Sequence, residues 1–466
     1  MTPSKHQLAV QTFVKTSTGN ALISAVAGSG KTTTLLGLMR IIPMTKSVRF
    51  FAFGKDIAED LKTRVPSTHN ISVSTIHSYG MKQCMKHLEH KPELDDRKYT
   101  RIVDDMYIDM KDGTDTLADH RRRVAPLINL ARVNMSETWE DVLSMSVKYD
   151  LAVGEADCRT AMAVIRRGMK ELDTIDMTDM IWLPVALKMK VERFDFVMVD
   201  ECQDLSELQR TLVLMSVRKG GRFIAVGDPS QAIFGFAGAD VESFNKFKLI
   251  PNTVELPLSV CYRCPKEVIE LAKTRVPHIE EKDSEKESKT KTIFRDAKIA
   301  DIQSGDLILC RLTYPLVKLG FQFIAAGIKA HIAGRDIGKN LISMIKNTKA
   351  ITFDEMYEKF KVEMDKIESD LMRTRSMPRE EAINNQQYTS YVDKVEAIKV
   401  VGEGCVTIQE VIKKIDGIFS DDRGDGILLS TVRKARGLEA KNVYIIHEEI
   451  MPSKNAKNDW ARVQEY

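Results

Sequence analysis

"ALISAVAGSGKTTTLLGL", residues 21–38, passes from an apolar run through Gly28-Ser29-Gly30-Lys31-Thr32 into a helical pattern. The run Ala21 to Ala25 reads as a buried strand, and the small residues after it let consecutive backbone N–H groups face one concavity. The following helix adds its positive N-terminal end, so the loop suits the phosphates of a nucleotide triphosphate. Its candidate contacts are Ala27, Gly28, Ser29, Gly30, Lys31, Thr32 and Thr33. Lys31 is placed for the β- and γ-phosphates and the Thr32 hydroxyl for Mg²⁺. The order Gly-x4-Gly-Lys-Ser/Thr is broken at one place, because Ala25 stands six positions before Lys31.

Short apolar runs recur along the chain, each followed by a turn and a helical pattern: VRFFAFG, FDFVMVDE, RFIAVGD, and later DLILCR, GILLSTV and NVYIIHE. Strands alternating with helices imply parallel sheets covered on both faces, with ligands at the C-terminal strand ends. The runs form two groups, which predicts an α/β fold with two parallel-sheet domains, each carrying a mainly helical insertion. The first domain is expected over 1–84 and 191–255 with an insertion at 85–190, the second over 256–340 and 426–466 with a shorter insertion at 341–425. The mixed-charge stretch at 280–292 reads as an exposed loop.

The bulk numbers bound the partners. Charged residues make up 29% and hydrophobic residues 43% of 466, the balance of a soluble globular protein. Net charge is only +3, so nucleic-acid binding must come from locally placed Lys and Arg. Seven scattered cysteines lack the density of a disulfide scaffold and fit a reducing cytosol. Cys261 and Cys264 form a Cys-x-x-Cys, but no second pair or His cluster completes four ligands, which argues against metal or redox use. MTPSKHQLAV lacks a signal-peptide core, and no apolar run reaches the roughly 18 residues of a membrane span. The expectation is a soluble, cytoplasmic protein with no membrane contact.

FDFVMVDECQD, at 194–204, is a strand ending in carboxylates. Asp200 is placed to hold Mg²⁺, and Glu201 to orient or deprotonate an attacking water. In RFIAVGDPSQAIFGFAGAD, Asp228 and Gln231 are placed to sense the γ-phosphate, while Phe234 and Phe236 either anchor a core or offer faces for stacked bases.

In order, AVAGSGKTT, FFAFGKDIAEDLKTRV, VSTIHSYG, VDECQDLSELQ, VGDPSQAIFGFAGA, LSVCYRCPKEV and LLSTVRKARGLEAKNVYII resemble the superfamily 1 DNA helicases of the UvrD/Rep/PcrA type over nearly the whole chain. The resemblance implies two RecA-like domains, ATP and Mg²⁺ as cofactors, ATP hydrolysis in the cleft between the domains, and 3′-to-5′ movement on single-stranded or forked DNA. It implies a monomer or weak oligomer working in replication or repair, in a bacterial or phage-infected cell. Residue by residue, Gln7 resembles the adenine-reading glutamine, Gln203 the glutamine that connects hydrolysis to DNA, and Arg263 the arginine that crosses the cleft to the γ-phosphate. Glu439 closes the nucleotide set. Phe53, Lys55, Thr75, Ile76, His77, Phe234, Phe236, Arg311, Thr431 and Arg433 match positions along the DNA path.

Four departures stand out. Val26 replaces a loop glycine, Ala237 replaces an arginine, and Arg433 and Arg436 replace a His and a Lys. The chain also stops at WARVQEY, before the family's last motif and its second cleft arginine. A fragment of a longer reading frame is expected, the alternative being a nucleotide-gated single-stranded-DNA-binding module with little ATP turnover. A kinase or GTPase is disfavoured, since no Asn-Lys-x-Asp guanine reader is present.

Overall fold

The computed structural model describes residues 3–65, 70–110, 116–149, 151, 153–232, 242–282, 301–375, 377–419, 426–435 and 437–451. Phe234, Phe236, Ala237 and Arg436 lie outside them. The chain forms two compact units, the first comprising Met1–Tyr149 and Val153–Thr290, the second Asp150–Ala152 and Lys291–Tyr466. Both are α/β with parallel sheets, as expected.

The first sheet holds β1 (Asn20–Ala25), β2 (Val48–Ala52), β3 (Ile71–Thr75), β4 (Phe194–Val199), β5 (Val217–Gly227) and β6 (Thr253–Leu258). Their order is β3-β2-β4-β5-β1-β6, with every pairing parallel. Every residue of β2, VRFFA, is buried, as a strand covered on both faces requires. The edge strand β6, TVELPL, is mostly exposed and contains Pro257, which lacks the N–H that an inner strand would need. Helices α1 (Lys5–Thr16) and α2 (Lys31–Met39) press Val10, Val14, Leu35 and Leu38 onto the core formed with Ile23, Phe50 and Ile224.

Where described, residues 85–190 are mainly helical, with one two-residue strand pair, Glu93–Leu94 and Thr174–Ile175. A buried ion network ties these helices together. Lys98 Nζ donates to Asp179 Oδ2 at 2.7 Å, and Arg132 donates from Nη1 and Nη2 to both oxygens of Asp176, at 2.8 and 2.7 Å. Such a network fixes one geometry more than it adds stability, because desolvating the charges offsets much of their attraction.

The first unit runs past the boundary expected at 255/256. After β6, the short strand Val260–Cys261 pairs with Glu280–Glu281, and Cys261, Ile269 and Ile279 bury against Val26. The apolar side chain at the position of the expected loop glycine is therefore part of what holds this segment on the first unit.

In the second unit, β7 (Leu307–Cys310), β8 (Ala330–Ile332), β9 (Ile427–Thr431) and β10 (Val443–Ile445) form a parallel sheet ordered β8-β9-β7-β10. Residues 341–425 are helical where described, but they are no separate body. Met356, Phe360, Val395, Ile398 and Val411 share one core with Ile308, Phe323 and Leu429 of the sheet layer. No described helix is long and apolar enough to cross a membrane.

Candidate functional site: a phosphate loop and its carboxylates

The site collects at the C-terminal ends of β4, β5 and β1. Gly28 and Gly30 have φ of +70° and +80°, a backbone region that side-chain-bearing residues rarely adopt. Gly30 caps α2 without a side-chain hydrogen bond, and the first turn of that helix carries no acidic residue. The opening N–H groups of α2 have no partner within the helix, so they are free to meet an anion. The Ser29 hydroxyl is buried there without a hydrogen-bond partner.

Lys31 Nζ donates to Glu201 Oε2 at 2.9 Å, and Thr32 Oγ1 to Asp200 Oδ2 at 3.1 Å. Glu201 has φ of +53°, a strained conformation for a residue with a side chain, and its own N–H donates to Asp200 Oδ1 at 2.9 Å. Burial and the neighbouring Glu201 charge push the Asp200 carboxyl up to about 6, against the pull of Lys31 and Thr32. Two hard oxygen donors, one a carboxylate short of positive charge, fit Mg²⁺, which takes its remaining ligands from phosphate and water. Among the described residues, no group of three or more His, Cys, Asp or Glu offers a metal site of another kind.

Gln203 is buried between these carboxylates and the end of β5. Its Nε2 donates to Glu201 Oε2 at 2.8 Å, and its Oε1 accepts from the Asp228 N–H at 3.0 Å. This approach demands glycine at 227, where a β-carbon would lie 2.4 Å from Gln203 Oε1. Asp228 in turn accepts from Gln231 Nε2 at 2.8 Å. Lys31, Glu201, Gln203, Asp228 and Gln231 therefore form one connected chain.

Arg263 lies beside the loop within the first unit, not in the second domain where sequence reasoning put it. A β-carbon on Gly28 would lie 2.7 Å from Arg263 Cβ, and the Tyr262 N–H donates to Gly28 O at 2.9 Å. Gln7 sits on the other side: its Nε2 donates to Thr34 Oγ1 at 3.2 Å, while its Oε1 closes a capping box with Ser4. Thr34, the partner that holds Gln7, was not picked out from the sequence, and neither was Tyr262; a threonine inside a helix and a tyrosine in a loop carry no spacing signal. Ala27 and Gly28 are partly exposed and Thr33 is exposed, as loop contacts require.

Phe53, Lys55, Thr75, Ile76 and His77 gather at the C-terminal ends of β2 and β3, where Ala52 pairs with Thr75. Phe53 is 48% exposed, and Lys55 opens helix α3 (Lys55–Arg64). Thr75 caps α4 (Ile76–Leu88), its side chain accepting from the Ser78 N–H at 3.2 Å. Ile76 is buried, which leaves only its backbone for a ligand. Burial lowers the pKa of His77, favouring the neutral ring. Arg311, Thr431 and Arg433 gather likewise at the C-terminal edge of the second sheet, where Cys310 pairs with Thr431; Glu439 is exposed on the same unit.

Residues 6–250 match the UvrD/REP helicase N-terminal domain. The ATP-dependent DNA helicase PcrA of Staphylococcus epidermidis is 26% identical over 296 residues, which is 58% of this chain and 39% of that protein. PcrA of Bacillus subtilis is 25% identical over 291 residues (56% and 38%), and the ATP-dependent DNA helicase Rep of Escherichia coli 25% over 304 (58% and 44%). The matched stretch thus spans about two-fifths of the length of these relatives. With the phosphate loop and its carboxylates inside a match that covers more than half of its residues, the chain belongs to the UvrD/REP helicase family.

Proposed function

We propose that this chain is an ATP-dependent DNA helicase, hydrolysing ATP with Mg²⁺, moving 3′-to-5′ along single-stranded DNA and separating the duplex ahead of it. The observation that carries the reading is the run Lys31, Glu201, Gln203, Asp228, which ties the phosphate loop to the ends of two further strands. When ATP binds, Lys31 turns from Glu201 to the β- and γ-phosphates. The released Glu201 carboxylate then orients and deprotonates the attacking water. Gln203 holds Glu201 from behind, so a shift at the end of β5 reaches the base. Thr32 and Asp200 would hold Mg²⁺, which when bound neutralises charge on the phosphate oxygens. Arg263, seated against Gly28, adds a cation for the charge that develops on phosphoryl transfer. Gln7, stationed by Thr34, presents an amide that can both donate to and accept from an adenine edge.

The residues at each sheet edge suit single-stranded DNA held mainly by its phosphates, so binding is sequence-tolerant and weakens with salt. The test is ATP turnover with and without single-stranded DNA, beside strand displacement from 3′-tailed and 5′-tailed duplexes. DNA-stimulated turnover with displacement only from the 3′ tail is the expected result. Turnover indifferent to DNA would overturn the motor, and displacement confined to the 5′ tail would overturn the direction.

A further inference from the structure

Cys261 and Cys264 are two sulfurs beside the phosphate loop that the nucleotide chemistry leaves unused. They flank Tyr262 and Arg263, the residues that touch Gly28. Cys261 is 1% exposed, and its sulfur lies 2.9 Å from where a β-carbon on Gly28 would sit, so it forms part of the floor under the phosphate loop. Cys264 is partly exposed, just ahead of the helix Lys266–Lys273. The two side chains meet. The Cys261 sulfur accepts from the Cys264 N–H at 3.5 Å, and the Cys264 thiol helps to stabilise its thiolate. These contacts, the Arg263 N–H and the Arg263 charge hold the Cys261 thiol down to about 6, against burial. Elsewhere burial does the opposite, pushing Cys84 up to about 12 and Cys158 and Cys310 up to about 11. A thiolate beside a second, more accessible thiol at a helix start is the arrangement of a reactive dithiol.

We propose that Cys261 and Cys264 are a reversible dithiol–disulfide couple, oxidised by a peroxide, that sets the position of Arg263 and thereby the rate of nucleotide turnover. With hydrogen peroxide, the Cys264 proton passes to the Cys261 thiolate and the Cys264 thiolate so formed attacks one oxygen: an S–O bond forms, the O–O bond breaks, and the departing hydroxide takes that proton back from Cys261 to become water. The Cys261 thiolate then attacks that sulfur. The S–S bond forms, the S–O bond breaks, and the second hydroxide leaves and is protonated from solvent. Two electrons pass from the sulfurs to the peroxide, and a cellular dithiol reverses the step by exchange. Forming the bond draws the sulfurs from hydrogen-bond contact to about 2.05 Å. That closes a ring around Tyr262 and Arg263 and withdraws Cys261 from beneath Gly28. A displacement of about 1 Å at a phosphoryl-transfer site costs up to about 100-fold in rate.

The gating half of this inference rests on the ATPase reading above. The experiment treats the full chain with hydrogen peroxide, maps thiols by mass spectrometry, and follows fluorescent-ATP binding and ATP turnover before and after dithiothreitol. Trypsin cuts after Arg263, so the bond shows as two joined peptides. The expected result is a Cys261–Cys264 link, turnover lowered about 10- to 100-fold and recovered by reductant, and a Cys264→Ser variant that turns over normally and ignores peroxide. Absence of the link in the wild type overturns the couple. A link that leaves both binding and turnover unchanged overturns the gating. Reduced protein that binds no nucleotide defeats the ATPase reading, and the gating with it, while the mapped link still decides the thiol couple on its own.

Discussion

The two units start a helix at the C-terminal end of a parallel strand in the same way and treat its N-terminus in opposite ways. In the first, α2 opens with Gly30 as its cap, and no carboxylate accepts from its first turn through a cap bond. In the second, the helix Thr313–Ala325 follows β7, and the half-buried Asp393 carboxylate accepts from the Thr313 N–H at 3.2 Å and the Tyr314 N–H at 3.0 Å. A helix N-terminus attracts an anion whoever supplies it. Here the second unit supplies its own, from the helix Gln386–Gly402, while on the reading proposed above the first leaves that role to a phosphate. One aspartate thus sets the two helix starts apart.

Removing Lys31 gives the largest effect. Lys31→Ala is expected to lower ATP turnover by about 10²- to 10³-fold, the scale of losing one transition-state donor, while Asp393→Ala leaves turnover near the wild-type rate. Steady-state phosphate release reads both. If Asp393→Ala silences turnover as fully as Lys31→Ala, the second helix start is part of the nucleotide chemistry and the contrast fails.

Asp200 sharpens the comparison through stability. A buried carboxyl held near 6 makes its ionised form costly in the folded state. That cost is absent below the unfolded value of about 3.9, grows as pH rises, and is complete above about 6. Without Mg²⁺, Asp200→Asn should therefore stabilise the fold at pH 8 by about 2 to 3 kcal/mol, and the gain should vanish near pH 4. Urea unfolding in EDTA at the two pH values measures it, and turnover should be lost in the same variant. A stability loss at pH 8 would mean that the Thr32 hydrogen bond outweighs burial and repulsion.

Asp393 should behave as an ordinary helix cap. Asp393→Ala exposes the Thr313 and Tyr314 N–H groups to no partner and should cost about 1 to 2 kcal/mol, seen as a lower urea midpoint. Nucleotide affinity should not change. Tighter nucleotide binding in the variant would show that its carboxylate had been excluding a second phosphate.

Much of this was legible in the sequence, because the signals were local. VRFFA, FDFVMV and LILC are short, mostly apolar runs of the kind a doubly covered sheet uses, and GSGKT names its own chemistry. What escaped depended on partners distant in the chain. TVELPL alternates poorly and holds a proline, so it carries no strand signal of its own, and only the pairing with β1 makes it one. The domain boundary moved because Val26 gathers Cys261, Ile269 and Ile279 onto the first unit, and that cluster has no sequence period. Glu201 was legible as a carboxylate at the end of a strand, but not its positive φ or its bond to Lys31, both products of tertiary constraint. Asp393, inside a helical stretch of ordinary composition, gave no sign that it would cap a helix about 80 residues earlier.

The smallest effect concerns the other flank of the first helix start. Gln7 does two jobs: its Oε1 accepts from the Ser4 N–H at 3.0 Å, and its Nε2 reaches Thr34 at 3.2 Å. Gln7→Glu keeps the first and, as an acceptor-only carboxylate, loses the second along with the donor to adenine. Turnover at saturating ATP should stay near wild type while KM for ATP rises by about tenfold, the size of one lost hydrogen bond to a neutral group. The KM for GTP, which lacks adenine's amino group, should move less. Equal rises for both nucleotides would show that Gln7 acts by placing the phosphate loop through Thr34 and α2, so that the loop's shape, and not base reading, is what this flank of the site controls.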